Sequence, residues 1–149
     1  KHLNMEEIEV EAIEIAKIFF EDIWNYSFKK WIFICIEPNP EIYWWNFMCN
    51  TKETLDFIKY INNPWIKLHL DLWTILINNE NINIISEAKK YITHFPISEP
   101  NLDVIQAREI HYKLKDLLNW YDWFFSIEMK WTSIENIEKS LILISNILK

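Results

Sequence analysis

Not one glycine occurs among the 149 residues. Average usage of about 7% predicts roughly ten. Glycine normally supplies the positive-φ positions that end helices and turn tight corners, so this chain must turn with other residues. Asparagine is the next most tolerant of left-handed backbone. It crowds two connections, "INNP" at 61–64 and "INNENIN" at 77–83. Cysteine is scarce too. Cys35 and Cys49 show no CxxC or other metal-knuckle spacing, and Cys35 sits in an apolar run where a buried free thiol is expected. No charged, apolar and small-residue series marks a secretory signal, and no apolar run approaches the ~18 residues of a membrane span. A start at Lys1 is expected of a processed chain or a fragment. Basic residues are outnumbered, with 15 Lys and Arg against 22 Asp and Glu and a net charge of -7. That balance argues against a nucleic-acid surface, which needs clustered cations. The expectation is one soluble cytoplasmic domain spanning 1–149, with no membrane or nucleic-acid partner.

What is present is half apolar, a quarter charged and rich in tryptophan, of which there are nine. Residues 4–30 read as a long helix, with Asn4 and Glu7 as a capping box and Ile8, Ala12, Ile15, Phe19 and Ile23 as its apolar stripe. "WIFICIEP" (31–38) is a short apolar run ending at proline, which fits a strand buried on both faces. The alternation then repeats. Helices are expected at 51–62 (capped by Thr51), 81–91, 108–120 and 133–148 (capped by Thr132), and strands at 65–72, 92–98 and 123–129. Pro96 weakens the third strand. The pattern α-(βα)4, repeating about every thirty residues, implies parallel strands with right-handed crossovers. Four such strands leave two open edges and call for more strands or a partner.

Each expected strand ends on polar residues in an apolar context: Glu37, then His69 and Asp71, then His94, then Glu128. Any one of them alone is more often a loop carboxylate, a helix cap or a packed histidine. Their recurrence in every unit is what carries weight. In a barrel all strand C-termini open on one face, where active sites sit. Three carboxylates and an imidazole there suit Mn²⁺, Mg²⁺, Co²⁺ or Zn²⁺. His111 falls on a helix and is expected at the surface. The aromatics of "IYWWNF" (42–47) are expected to cover the barrel core.

The segments "ICIEPNP", "KLHLDLWT", "HFPISEPNLD" and "FFSIEMK" resemble four successive strand-end motifs of the xylose-isomerase-like superfamily, over about Met5 to Lys149. The resemblance implies the C-terminal half of an α/β (β/α)8 TIM barrel and a sugar isomerase or epimerase. It implies metal ligands at Glu37, Asp71, residue 96 and Glu128, with Glu37 and Glu128 as the acid/base pair beside a substrate carbonyl. The chain departs from the pattern at Pro96, where the family carries histidine. His94 has the same parity and is the surrogate, completing the set Glu37, Asp71, His94 and Glu128, although it lies roughly 6.6 Å down the strand. Thr74 replaces a substrate-binding histidine, and Trp31, Trp73, Ala107, Trp123 and Trp131 stand where relatives are expected to carry glycine. His69, Glu99 and Arg108 are the candidates to hold a small sugar or sugar phosphate, with a surface ion pair as the competing role for Arg108. The alternative function is an inactive half-barrel or redesigned scaffold that pairs with a second copy or a complementing half. An endonuclease fits less well, since it draws more ligands from a whole barrel and benefits from a basic surface.

Overall fold

The computed structural model describes residues 5–148. Four strands, β1 (Ile34–Ile36), β2 (Ile66–His69), β3 (Ile92–Ser98) and β4 (Phe124–Glu128), pair in parallel in chain order. The helices are α1 (Met5–Lys30), α2 (Thr51–Ile61), α3 (Leu72–Ile77), α4 (Ile84–Ala88), α5 (Glu109–Leu117) and α6 (Ile134–Leu148). This is the expected α/β half-barrel, an arc of parallel strands with helices on one face.

Alternation sorts the strand residues. Ile36, Ile66, Leu68, Leu70, Phe95 and Ile97 are buried in one core with Leu55 and Ile58 of α2, Ile75 of α3, Ile85 of α4, Leu114 of α5 and Ile144 of α6. The other parity forms an inner face: Cys35 and Glu37, Lys67 and His69, His94 and Pro96, and Ser126 and Glu128. A register shift between Leu68 and His69 sets His69 directly beside His94.

Several local expectations are corrected. The docked stripe of α1 is Ile13, Ala16, Phe20 and Trp24, whereas Ile15 and Phe19 are exposed. The Asn4 cap lies outside the described residues. Asn50, not Thr51, caps α2 by accepting the Glu53 amide, because it is Asn50 that has extended backbone. Ser133, not Thr132, accepts the amide of Asn136 at the start of α6. The helix expected at 81–91 is only the short α4, and the strand expected at 65–72 stops at His69 because Asp71 caps an unexpected helix, α3, immediately after β2. Pro96 does not break β3, since the ladder to β4 continues at Phe95↔Phe125 and Ile97↔Ile127 on either side of it. Cys35 is exposed rather than buried, since it lies on the open inner face. Ile42, Tyr43, Trp44 and Trp45 are exposed and cover no core.

The missing glycines leave a mark on the backbone. Asn62, Asn79 and Asn101 take positive φ, as do Trp31, Trp44, Met48 and Leu102. Trp31 ends α1 in the Schellman pattern, with its own N–H bonded to Phe28 O and Ile32 N–H bonded to Ser27 O. Glycine usually occupies that position. Trp73, Ala107, Trp123 and Trp131 are not among the positive-φ residues, so a side chain is tolerated at these four.

Candidate metal and acid/base site at the strand ends

The C-terminal strand ends gather the expected carboxylates on one rim. Glu37 follows β1 directly, Asp71 lies two residues past β2, and Glu128 closes β4. Asp71 is buried. Its Oδ1 accepts the Trp73 amide at 3.0 Å as the cap of α3, and the Ser98 hydroxyl at 2.6 Å from the end of β3. One side chain thus locks two strand ends together. Burial pushes the Asp71 carboxyl up, and the bonds from Ser98 and Trp73 pull it partly back.

His69 stands between the glutamates. Its Nε2 lies 3.6 Å from Glu37 Oε1 and 3.9 Å from Glu128 Oε1. Burial, and then neighbouring His94, push its pKa down to about 4. It is therefore neutral near pH 7, and these contacts are not ion pairs there. Its Nε2 is buried without a hydrogen-bond partner. Glu37 is pushed up to about 7 by burial, then by the charges of Asp71 and Glu128. Glu128 is raised by burial and by Asp71, against a lowering from His94. The charge of Asp71 thus raises both glutamates and that of Glu128 raises Glu37, with no Lys or Arg paired to the three acids among the described residues.

His94 is tied down. Its Nδ1 lies 3.1 Å from His69 Nδ1, and its Nε2 lies 2.9 Å from Ser126 Oγ. Both ring nitrogens are engaged, and His69 is the imidazole beside the glutamates. Glu99 and Arg108 find each other: Nε and Nη2 of Arg108 approach the Glu99 carboxylate at 2.6–2.9 Å, and the Gln106 amide adds a third bond. This pair clasps the 99–108 loop. His111, expected at the surface, is buried beneath it at 1% exposure, with Nδ1 accepting the Arg108 amide. Ser98 and Ser126 were not singled out from the sequence. Small polar residues on an inner strand face carry no signal of which acid or imidazole they hold.

Among the described residues, no three His, Cys, Asp or Glu side chains are gathered closely enough to hold a metal ion. The four expected ligands share the rim without forming one cluster. The donor chemistry still fits a divalent cation: three acids in excess and one neutral imidazole with a free nitrogen. Glu37 and Glu128 are half-exposed. Cavities of about 750 and 630 Å³ lie away from this rim, beside α3–α4 and between α1 and α2. The rim itself is an open face.

No protein-family profile and no curated sequence matches the chain. Solved structures do, and what they share with the chain is the fold, parallel strands alternating with helices over part of a longer barrel. The chain is similar to D-psicose 3-epimerase from Clostridium cellulolyticum H10, crystallised with D-tagatose, at TM-score 0.79 and 16% identity over 100% of this chain and 59% of that one. It also resembles an L-ribulose 3-epimerase (TM-score 0.68, 18% identity, 95% and 48% covered). The IOLI protein with a bound zinc atom is similar as well (TM-score 0.68, 15% identity, 99% and 59% covered). The chain thus spans about three-fifths of the psicose epimerase, and at these identities the likeness is one of fold. No helix among the described residues is long and apolar enough to cross a membrane.

Proposed function

We propose that the rim is the acid/base half of a divalent-metal isomerase or epimerase site for a small ketose or sugar phosphate. The observation that carries this reading is the placement of Glu37 and Glu128. They come from the first and last strands of the arc, flank the orphaned nitrogen of His69, and have Asp71 fixed behind them. Glu37, Asp71 and Glu128 would hold the cation, with His69 in the fourth place that Pro96 leaves empty. A bound divalent cation supplies polarisation of a carbonyl and its neighbouring hydroxyl oxygen. The chain's own groups then move a proton at the carbon beside that carbonyl. One glutamate removes it and the other returns it from the far side, as efficient exchange near neutral pH requires of acids with raised pKa. The sugars named with the related structures, D-tagatose and D-fructose, support a ketose. Exposed Tyr43 and half-buried Trp73, joined by an indole N–H to hydroxyl bond of 3.0 Å, offer an aromatic wall beside the rim.

Calorimetry with Mn²⁺ and Co²⁺ on the purified chain tests this. Binding that is lost in Glu37→Gln and in Glu128→Gln is the expected result; no heat at millimolar metal removes the proposal. Pro96 favours the second reading, an inactive half-barrel. Pro96→His separates the two: a gain of metal affinity shows a site otherwise intact, and no change favours the scaffold.

A further inference from the structure

We infer that Glu99, Arg108 and His111 form a strap that positions the Asp71 and Glu128 ends of the rim, and that protonation of His111 releases it. The strap is built from the chain's own contacts and stands whether or not the rim binds a cation. Its effect on cation binding rests on the function proposed above.

The strap is the segment between β3 and α5, residues 99–108. It is fastened at three points. At its start, Glu99 directly follows Ser98, whose hydroxyl donates to Asp71 Oδ1 at 2.6 Å. At its middle, Leu102 O accepts the amide of Lys130 at 2.7 Å, just past Glu128. At its end, Arg108 returns to Glu99 through Nε and Nη2. One segment thus ties together the ends of β3 and β4 and, through Ser98, the residue that caps α3. Asn101 and Leu102 both take left-handed backbone, with φ of 58° and 56°. Leucine holds that conformation only where its surroundings impose it, so the segment relaxes when a fastening is lost.

His111 is the fastening that can take a proton. It is 1% exposed in the first turn of α5, and its Nδ1 accepts the Arg108 amide at 3.3 Å. An accepting ring nitrogen carries no hydrogen, so the one proton of the neutral ring is on Nε2, which is buried with no partner. A second proton goes to Nδ1. It removes the acceptor, sets N–H against N–H, and adds a cation to a pair already balanced by one carboxylate and one guanidinium. Burial holds the ring below its ordinary 6.5; the Glu99 charge works against this, Arg108 adds to it, and the Gln106 backbone works against it. The imidazolium therefore forms readily only when the first turn of α5 lifts from the strap into water. The folded ring binds a proton less well than the free one, so the strap is shut at neutral pH and loosens as pH falls below 6.5.

Hydrogen exchange by mass spectrometry on the full chain, corrected for the intrinsic pH dependence of amide exchange, tests this from pH 7 to pH 5 without metal. Protection of residues 99–112 and of the segment holding Lys130 should fall, by at most about tenfold per pH unit for a single proton. The Phe95–Ile97 core of β3 should keep its protection. His111→Asn leaves an oxygen for the Arg108 amide and takes no proton, so its strap should be flat over the same range. No fall in the parent, an equal fall in the β3 core, or an equally steep fall in His111→Asn overturns the inference. Should His111→Asn lose its circular dichroism, the contrast between strap and β3 core in the parent decides alone. Calorimetry then reads the rim: Mn²⁺ affinity should drop more steeply from pH 7 to 5 in the parent than in His111→Asn, and equal slopes overturn the positioning role. A parent chain that binds no Mn²⁺ at pH 7 removes the reading of the rim as a metal site and leaves the strap to the exchange result.

Discussion

The two faces of the β-sheet differ in nearly every property. Toward the helices, Leu68, Leu70, Phe95 and Ile97 are fully buried in a continuous core. On the inner side stand an exposed cysteine, a lysine, two histidines packed edge to face and a serine. One face is a finished interior that holds the fold, and the other is a polar surface that reserves its chemistry for whatever covers it. The sharpest way to break this contrast is to truncate one phenylalanine on each side. Phe95→Ala should lower stability by about 3–5 kcal/mol, as expected for a large buried aromatic, a large share of a small domain's ~5–15 kcal/mol. Phe124→Ala, at a residue 75% exposed on the inner side, should stay within about 0.5 kcal/mol. Denaturant midpoints measure both. Equal losses would mean that the inner face is already closed in solution.

Asp71 is where the two faces meet, because it caps α3 on the helical side and points its charge into the rim. Asp71→Ala should lower stability by about 1–2 kcal/mol through the lost cap and the lost Ser98 bond. Asp71→Asn keeps an oxygen for both donors and should lose less. Both should weaken Mn²⁺ binding. An Asn variant that keeps its stability and loses the metal separates the structural role from the charge.

Much of this architecture was legible because each unit carries an apolar run bounded by turn residues, as β3 shows over all of 92–98. Errors came where two neighbours share one pattern. Helix α1 is apolar toward two sides, so periodicity could not say whether Ile13 and Phe20 or Ile15 and Phe19 dock. Cys35 lies in an apolar run whose inner side stays open. Alternation placed both His69 and His94 on the inner face. Only the register shift at Leu68/His69 decides that they meet and that His69 takes the place beside the glutamates. His111 is buried by the Glu99–Arg108 clasp, a contact made across the loop and invisible in "REIHYK".

The absent glycine gives a smaller effect of opposite sign. Trp44 has a φ of 65° and is 97% exposed, so its side chain gains little in return for left-handed backbone. Trp44→Gly should raise stability by about 1 kcal/mol. Trp31→Gly should raise it less, because the Trp31 ring also packs edge-on against Trp65. Thermal melts of the two variants compare them, and a loss in Trp44→Gly would mean that its ring has a partner in solution.

The smallest expected effect is the pH dependence set by Glu37 and His69 together. Glu37 rises from 4.5 to about 7 on folding, so between those values the folded chain holds a proton that the unfolded chain has lost. Its contribution therefore makes stability fall as pH rises through that window. His69 drops from 6.5 to about 4, so below pH 6.5 the unfolded chain takes a proton that the folded chain refuses. Its contribution makes stability fall as pH falls. The slopes oppose each other where the windows overlap, and the parent chain should be nearly flat there in the absence of metal. Glu37→Gln removes only the first slope, so its stability relative to the parent should grow from pH 4.5 to 7. The gain is small because Glu37 is half-exposed and water screens it.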